Sequence, residues 1–303
     1  KLGRKTLVVT HTTALKDQWI KEVKLLYGII PGEVGAGICN LDSPIVIGNI
    51  QSIVRVLPKL EKEFGTVIMD EAHHTPATTF TSTINALHAR NRIALSGTMI
   101  RKDGKHVLFR DYFGDVVFKP AQNNTLNPTI KLLKTGIKLP QGKNWAQKIN
   151  ALLYDPEYQN TIAILAAKQA SKGHKVLVIA DRTEFLVEVN KLLAPKSVLV
   201  IGETKDREGE IAKIKTDNVD IICGSRQIFA EGISANALSC VILAVPIANQ
   251  ALLEQIIGRI MRLYEGKLPP EVIDIQFSGY SEKLQNSERI SLYAQKGWNI
   301  EVL

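Results

Sequence analysis

Apolar runs of three to six residues recur along the chain, and most are followed by a polar turn and a stretch with helical spacing. Thr6-Leu7-Val8-Val9 is the first run, and Thr10-His11-Thr12-Thr13 is the polar turn after it. Ala14 to Tyr27 then reads as an amphipathic helix with Leu15, Trp19, Val23 and Leu26 on one face. Ile45-Val46-Ile47-Gly48-Asn49 is a second strand, ending at Ile50-Gln51-Ser52-Ile53. Val67-Ile68-Met69 runs straight into Asp70-Glu71-Ala72-His73-His74 as the third, and Arg92-Ile93-Ala94-Leu95 closes on Ser96-Gly97-Thr98 as the fourth. Continuous apolar runs of this kind suit strands buried on both faces of a parallel sheet. Strands separated by helical stretches predict an α/β, doubly wound architecture.

Residues 119–128 (KPAQNNTLNP) lose all periodicity and are rich in Asn and Pro, which predicts a linker between a first domain, 1–118, and a second, 129–303. Beyond it, Thr129 to Leu139 reads as an entering strand and Asp155 to Lys172 as a helix. Lys175 to Ala180 opens a second α/β series that continues through Val198–Ile201, Val219–Cys223, Cys240–Ala244 and Val272–Phe277. Tyr280 to Lys296 predicts a closing helix. No period of about 20–50 residues marks a repeat protein.

A length of 303 residues leaves room for two such domains, each with its own core. At 45% hydrophobic and 22% charged residues the composition is that of a soluble globular protein. No apolar run approaches the roughly 18 residues of a membrane helix, so no membrane partner is expected. The basic start, Lys1-Leu2-Gly3-Arg4-Lys5, is not followed by a signal-peptide core. Cys39, Cys223 and Cys240 are far apart, which argues against a disulfide framework or a zinc site and fits a reducing, cytoplasmic or nuclear setting. The net charge of +8 suits a polyanionic partner such as nucleic acid, as it suits many basic proteins without one.

Three places carry candidate chemistry. Asp70 and Glu71 sit just past a strand, at the edge where open α/β sheets bind ligands. A Mg²⁺–nucleotide site needs such a pair, one acid for the metal's water shell and one to polarise an attacking water. The plainer alternative is an acidic turn capping the next helix. Gln255, Arg259 and Arg262 follow i, i+4, i+7 spacing and would share one helix face, with Leu253, Ile257, Ile260 and Tyr264 on the other. Two arginines held on a rigid helix suit developing phosphate charge, whereas a solvated polar face is the ordinary reading of such spacing. Gly258 between them suggests close approach by a ligand or a backbone. Ala230-Glu231-Gly232-Ile233-Ser234 is a third loop beyond a strand end, where an ordinary connection is the rival reading.

Taken in order, Thr10-His11-Thr12, Ile50-Gln51-Ser52, Asp70-Glu71-Ala72-His73-His74, Ser96-Gly97-Thr98, Val178-Ile179-Ala180-Asp181-Arg182-Thr183, the Gly232 loop and Gln255–Arg262 resemble motifs Ia, Ib, II, III, IV, V and VI of superfamily 2 helicases and translocases. Arg101-Lys102-Asp103-Gly104 and Glu231-Gly232-Ile233 resemble the XPB-like and phage UvsW-like branch. The resemblance implies two RecA-like domains with ATP and Mg²⁺ between them and a nucleic acid, DNA rather than RNA, as partner. It implies Asp70 as the Mg²⁺ acid and Glu71 as the residue that activates water. His73 and Gln255 would couple the domains, Ser96 and Thr98 would link nucleotide state to movement, and Gly232 would lie by the nucleotide. Arg259 and Arg262 would reach the γ-phosphate. Thr10, Thr12, Gln51, Ser52, Arg182 and Thr183 would line the strand, through hydroxyls and N–H groups that contact phosphate without reading sequence.

Two features depart from that pattern. No GxxxxGK[ST] loop occurs, so a fragment that begins past that loop, and does not hydrolyse ATP alone, is expected. Ser234 stands where many relatives carry Asp. A nucleic-acid-binding module that keeps the fold without the enzymology, or the motor subunit of a restriction or repair assembly, are the rival readings.

Overall fold

The computed structural model describes residues 3–72, 77–96, 111–115, 118, 125–140, 142–215, 218–230 and 235–303. The chain divides into two compact units, Lys1–Pro120 and Ala121–Leu303. Among the described residues no helix is long and apolar enough to cross a membrane.

In the first unit β1 (Thr6–Thr10) leads into α1 (Thr13–Tyr27). There follow β2 (Gly32–Gly35), β3 (Ile38–Asn40), β4 (Ile45–Asn49), α2 (Ile50–Leu60), β5 (Thr66–Asp70), α3 (Ala77–Ala86) and β6 (Asn91–Leu95). The strands form one sheet in the order β3-β2-β4-β1-β5-β6, parallel except for the β2–β3 hairpin. Period-two alternation splits the core. Leu7, Val9, Val67 and Met69 cluster with Ile53 and Leu60 of α2 and Ile84 of α3. Val8 and Ile47 cluster on the other side with Val23 of α1, and Trp19, Ile20 and Ile68 pack against them.

The second unit begins with β7 (Thr129–Lys134), α4 (Trp145–Leu153), α5 (Pro156–Ser171), β8 (Val176–Ala180), α6 (Thr183–Leu193), β9 (Ser197–Val200) and α7 (Arg207–Ala212). It continues with β10 (Ile221–Ser225), α8 (Arg226–Ala230), β11 (Cys240–Leu243), α9 (Gln250–Met261), β12 (Glu271–Gln276), α10 (Tyr280–Gln295) and β13 (Asn299–Val302). Its seven strands run β13-β7-β12-β11-β8-β10-β9, all parallel. β8 is buried at every residue, as a central strand covered on both faces must be.

The apolar pattern and the fold differ at identifiable places. Ile50–Ile53 does not prolong β4, because the Asn49 side chain accepts from Gln51 N at 3.2 Å and starts a helix. The entering strand stops at Lys134, paired with Gln276 at the end of β12. Leu26 is 68% exposed and lies off the packed face of α1. β2, β3 and β13 had no apolar run to reveal them: β2 reads Gly-Glu-Val-Gly, and β3 is wholly exposed. Within the stretch of low periodicity, Thr125 forms a bridge with Arg262, and Leu126 N donates to the Met261 carbonyl at 2.8 Å.

A polar cluster is built into the second core. Asp274 of β12 accepts from Arg289 Nε at 2.9 Å and Nη2 at 2.8 Å, and from the Tyr293 hydroxyl at 2.9 Å. Arg289 also donates to Asn286 Oδ1 at 3.0 Å. Both charges are almost completely buried, at 2% and 1% side-chain exposure. Removing one partner strands the other away from water. Arg289→Met is therefore expected to cost roughly 3–5 kcal/mol. The urea midpoint of the second unit's unfolding checks this, and adding Asp274→Leu should recover much of the loss. A single-variant loss below 1 kcal/mol would mean that the pair is solvated.

Candidate functional site: an acidic and a cationic sheet edge

Parallel register lines up the candidate residues of the first unit. Thr10 pairs with Asn49 and Asp70 with Leu95, so β1, β4, β5 and β6 all present their carboxyl ends along one edge. Open α/β sheets bind ligands along this edge. Thr66, Ile68 and Asp70 alternate onto the face that α1 covers. There Asp70 Oδ2 accepts from Trp19 Nε1 at 2.8 Å, and Oδ1 accepts from Glu71 N at 2.9 Å. Hydrogen bonds to a carboxylate contribute roughly 1.5–3 kcal/mol each, so the acid's orientation is fixed by both donors. Glu71 follows at φ 46°, in the left-handed region that costs a residue with a Cβ about 1–2 kcal/mol. That left-handed residue turns the chain away from the line of β5. The strand therefore ends at the acid pair for a structural reason.

The other residues of this edge behave differently from one another. Ser96 directly follows β6. Thr10 is only 1% exposed, and its hydroxyl lies 3.3 Å from the Thr12 carbonyl and 3.4 Å from that of Gly48, so that side chain works inside the edge. Thr12 caps α1, its Oγ1 accepting from Leu15 N at 3.3 Å. Gln51 and Ser52 occupy the first turn of α2, Gln51 exposed and Ser52 half-buried. His73 and Thr98 lie outside the described residues, as does Gly232 in the second unit.

In the second unit α9 buries Leu253, Ile256, Ile257 and Ile260 against the core. Asn249 caps the helix, and Arg262 ends it with extended backbone at ψ 139°. Gln255 and Arg259 thus share a helix face, but Arg262 has left the helix. Tyr264 likewise stands beyond it, 42% exposed, and Ile256 fills the buried face in its place. A Cβ added at Gly258 would meet nothing within 4 Å, so no described backbone approaches there. Arg259 Nε donates to the Phe229 carbonyl at 3.1 Å, and Arg262 Nη1 donates to Asn236 Oδ1 at 3.3 Å. The two arginines therefore bond the chain on either side of residues 231–234, which lie outside the described residues.

Lys267 joins them without having been singled out by the sequence. Its Nζ donates to the Arg262 carbonyl at 2.8 Å. Burial, then the neighbouring charge of Arg262, push its pKa down to about 8. Burial also lowers Arg262, so positive charge is concentrated here at a desolvation cost, an arrangement that an anion relieves. A Lys five residues beyond a motif gives no periodic signal, and only the turn after α9 brings it back.

Asp181, Arg182 and Thr183 follow β8, whose last residue pairs with Ser225 at the end of β10. Arg226 Nε meets Asp181 Oδ1 at 2.8 Å, and Arg182 Nε donates to Asn150 Oδ1 at 2.8 Å. Burial raises the pKa of Asp181, with Arg226 and Arg182 opposing. Thr183 opens α6.

Comparison with known proteins identifies the family. Residues 1–101 match the family model described as "Type III restriction enzyme, res subunit", and residues 157–264 match "Helicase conserved C-terminal domain". The chain is 41% identical over 305 residues to "Probable helicase D10" of Escherichia phage T5, covering 98% of this chain and 68% of that protein. It is 26% identical over 314 residues to "ATP-dependent DNA helicase uvsW" of Enterobacteria phage T4, covering 94% of this chain but 62% of the relative. In fold it is similar to the solved structure of S. cerevisiae Dbp5 bound to RNA and ADP BeF3, with a TM-score of 0.62, 12% identity, and coverage of 99% of this chain and 77% of that one. With two RecA-like sheets of the expected topology and close identity across nearly all its length, the chain belongs to the superfamily 2 helicases, the family of ATP-dependent nucleic-acid motors.

Proposed function

We propose that the protein is an ATP-dependent helicase or translocase that acts on DNA, with this chain supplying motor elements. The observation that carries the reading is the Asp70–Glu71 turn. A doubly hydrogen-bonded carboxylate ends a central strand, and the next acid is held in a strained conformation that an ordinary capping turn does not need. The cationic edge of the second unit supplies the complementary chemistry for phosphate. DNA, rather than RNA, is favoured by the printed name of the T4 relative. A module that only binds nucleic acid would have no use for the strained acid pair.

The residues suit Mg²⁺. Among the described residues no three His, Cys, Asp or Glu side chains gather as a metal cage. Mg²⁺ in nucleotide sites characteristically takes one or two carboxylates and fills its other positions with water and phosphate. Asp70, with acceptor capacity left on both oxygens, would hold it, and the ion would neutralise charge on the phosphates. Glu71 would orient and deprotonate the attacking water. Arg259 and Arg262 would stabilise the phosphate charge that develops, and Gln255 and His73 would report nucleotide state between the units. Ser96 and Thr98 would pass that state to the strand-binding surface, and Gly232 would let the backbone come close to the nucleotide. Thr10, Thr12, Gln51, Ser52, Arg182 and Thr183 would face the strand, the first through its backbone, since its side chain is buried.

Two variants of the full-length protein test the roles. Glu71→Gln should abolish ATP turnover while ATP and DNA still bind, because the amide keeps the shape but cannot take a proton. Turnover at the parent rate would remove Glu71 as the base. Arg262→Ala should lower kcat by about 10³–10⁵ if the residue acts as an arginine finger. A loss under tenfold would reject that role. Stimulation of the ATPase by single-stranded DNA, duplex, branched DNA and RNA in one panel decides the substrate, and RNA stimulation above every DNA would overturn the DNA assignment.

A further inference from the structure

We propose that Trp19 is a positioning residue for Asp70, its indole N–H aiming the carboxylate toward the metal–nucleotide. The inference rests on the reading of Asp70 as the Mg²⁺ acid given above. An aspartate carboxyl rotates about a soft terminal torsion, and a single hydrogen bond leaves it room to swing. Here two donors arrive from different elements, Trp19 Nε1 of α1 at Oδ2 and Glu71 N at Oδ1. Together they fix the carboxyl plane. Each oxygen keeps a second lone pair for the metal's water shell.

The donor is itself held in place. Trp19 packs against the cluster of Val8, Val23 and Ile47 beneath α1. The helix is fixed at both ends, by the Thr12 cap and by Gly28 at φ 65°, whose N–H donates to the Lys24 carbonyl at 3.0 Å. Phe would also lay an aromatic ring on this cluster, but without a donor. The indole adds one polar atom, and that atom is on Asp70. Indole N–H can only donate, so it cannot bind the cation, and any effect on the metal has to pass through the carboxylate. Partners of this outer kind typically change metal affinity or activity by 10–100-fold.

The test is metal affinity measured without turnover. Mn²⁺ replaces Mg²⁺, and the full-length protein is titrated by electron paramagnetic resonance in the presence of a non-hydrolysable ATP analogue. Trp19→Phe keeps the ring and removes the donor. We expect it to weaken Mn²⁺ binding about tenfold or more while binding of the analogue without metal stays within twofold. Mn²⁺ affinity within twofold of the parent would show that Trp19 only packs. Asp70→Asn, run alongside, separates the two ideas. If it binds Mn²⁺ like the parent, the assignment of Asp70 itself falls. If Asp70→Asn weakens binding and Trp19→Phe does not, only the positioning role falls. Should Trp19→Phe fail to fold, Trp145→Phe/Trp298→Phe, with any tryptophan outside these 303 residues also replaced by Phe, leaves Trp19 as the one tryptophan excited at the red edge. Its emission should shift when Mg²⁺ joins the analogue, and unchanged emission overturns the proposal.

Discussion

Parallel strands buried on both faces constrain everything else in this chain. Such strands can carry little but apolar side chains, so polar chemistry is pushed past their ends. Because the register is parallel, those ends fall together. Asp70, Thr10, Asn49 and Ser96 gather at the edge of one sheet, and Asp181, Ser225 and the approach to Gly232 at the edge of the other. The chemistry assigned to the motor is thus a by-product of satisfying two cores. The two edges differ in what they carry near the candidate motifs. The first edge holds a carboxylate with donors around it, and the second holds cations whose pKa values burial lowers.

Much of the fold was legible because period and length agree in the central strands. Val176–Ala180 and Val67–Met69 could hardly be anything else, and they place β5 and β8 within a residue or so. The edges were not legible. β2 and β3 carry two glycines, a glutamate and exposed side chains, and only pairing makes them strands. α2 was hidden by its own first residue, an isoleucine that prolongs the apolar run, until the Asn49 cap decided the matter. Propensity and pattern describe one segment at a time, whereas caps and partners are relations between segments.

The site divides along the same line. Asp70, Glu71, Arg259 and Arg262 stand in short motifs whose residue types announce phosphate chemistry. Trp19 and Lys267 do not, although each hydrogen-bonds to a residue of those motifs. Trp19 reads as one apolar position of an amphipathic helix, and its polar atom matters only because strand alternation turns Asp70 toward α1. Lys267 is an exposed-looking basic residue until the chain turns back after α9. Arg262 shows the opposite error. Helical spacing put it on one face with Gln255, but the helix ends at that residue, which frees the side chain to reach Asn236.

The backbone of Glu71 sets the stability of the fold against the catalytic role proposed for this residue. At φ 46° this is a position that glycine would occupy without strain and asparagine with little. A sequence optimised for stability alone would therefore drift away from glutamate there, and with Glu71 as the base proposed above the most stable version of the chain would be an inert one. Stability-guided redesign of this protein would be pulled toward that loss at this one residue. A glutamate in a glycine's conformation is the place where the proposed function and the stability of the fold pull apart.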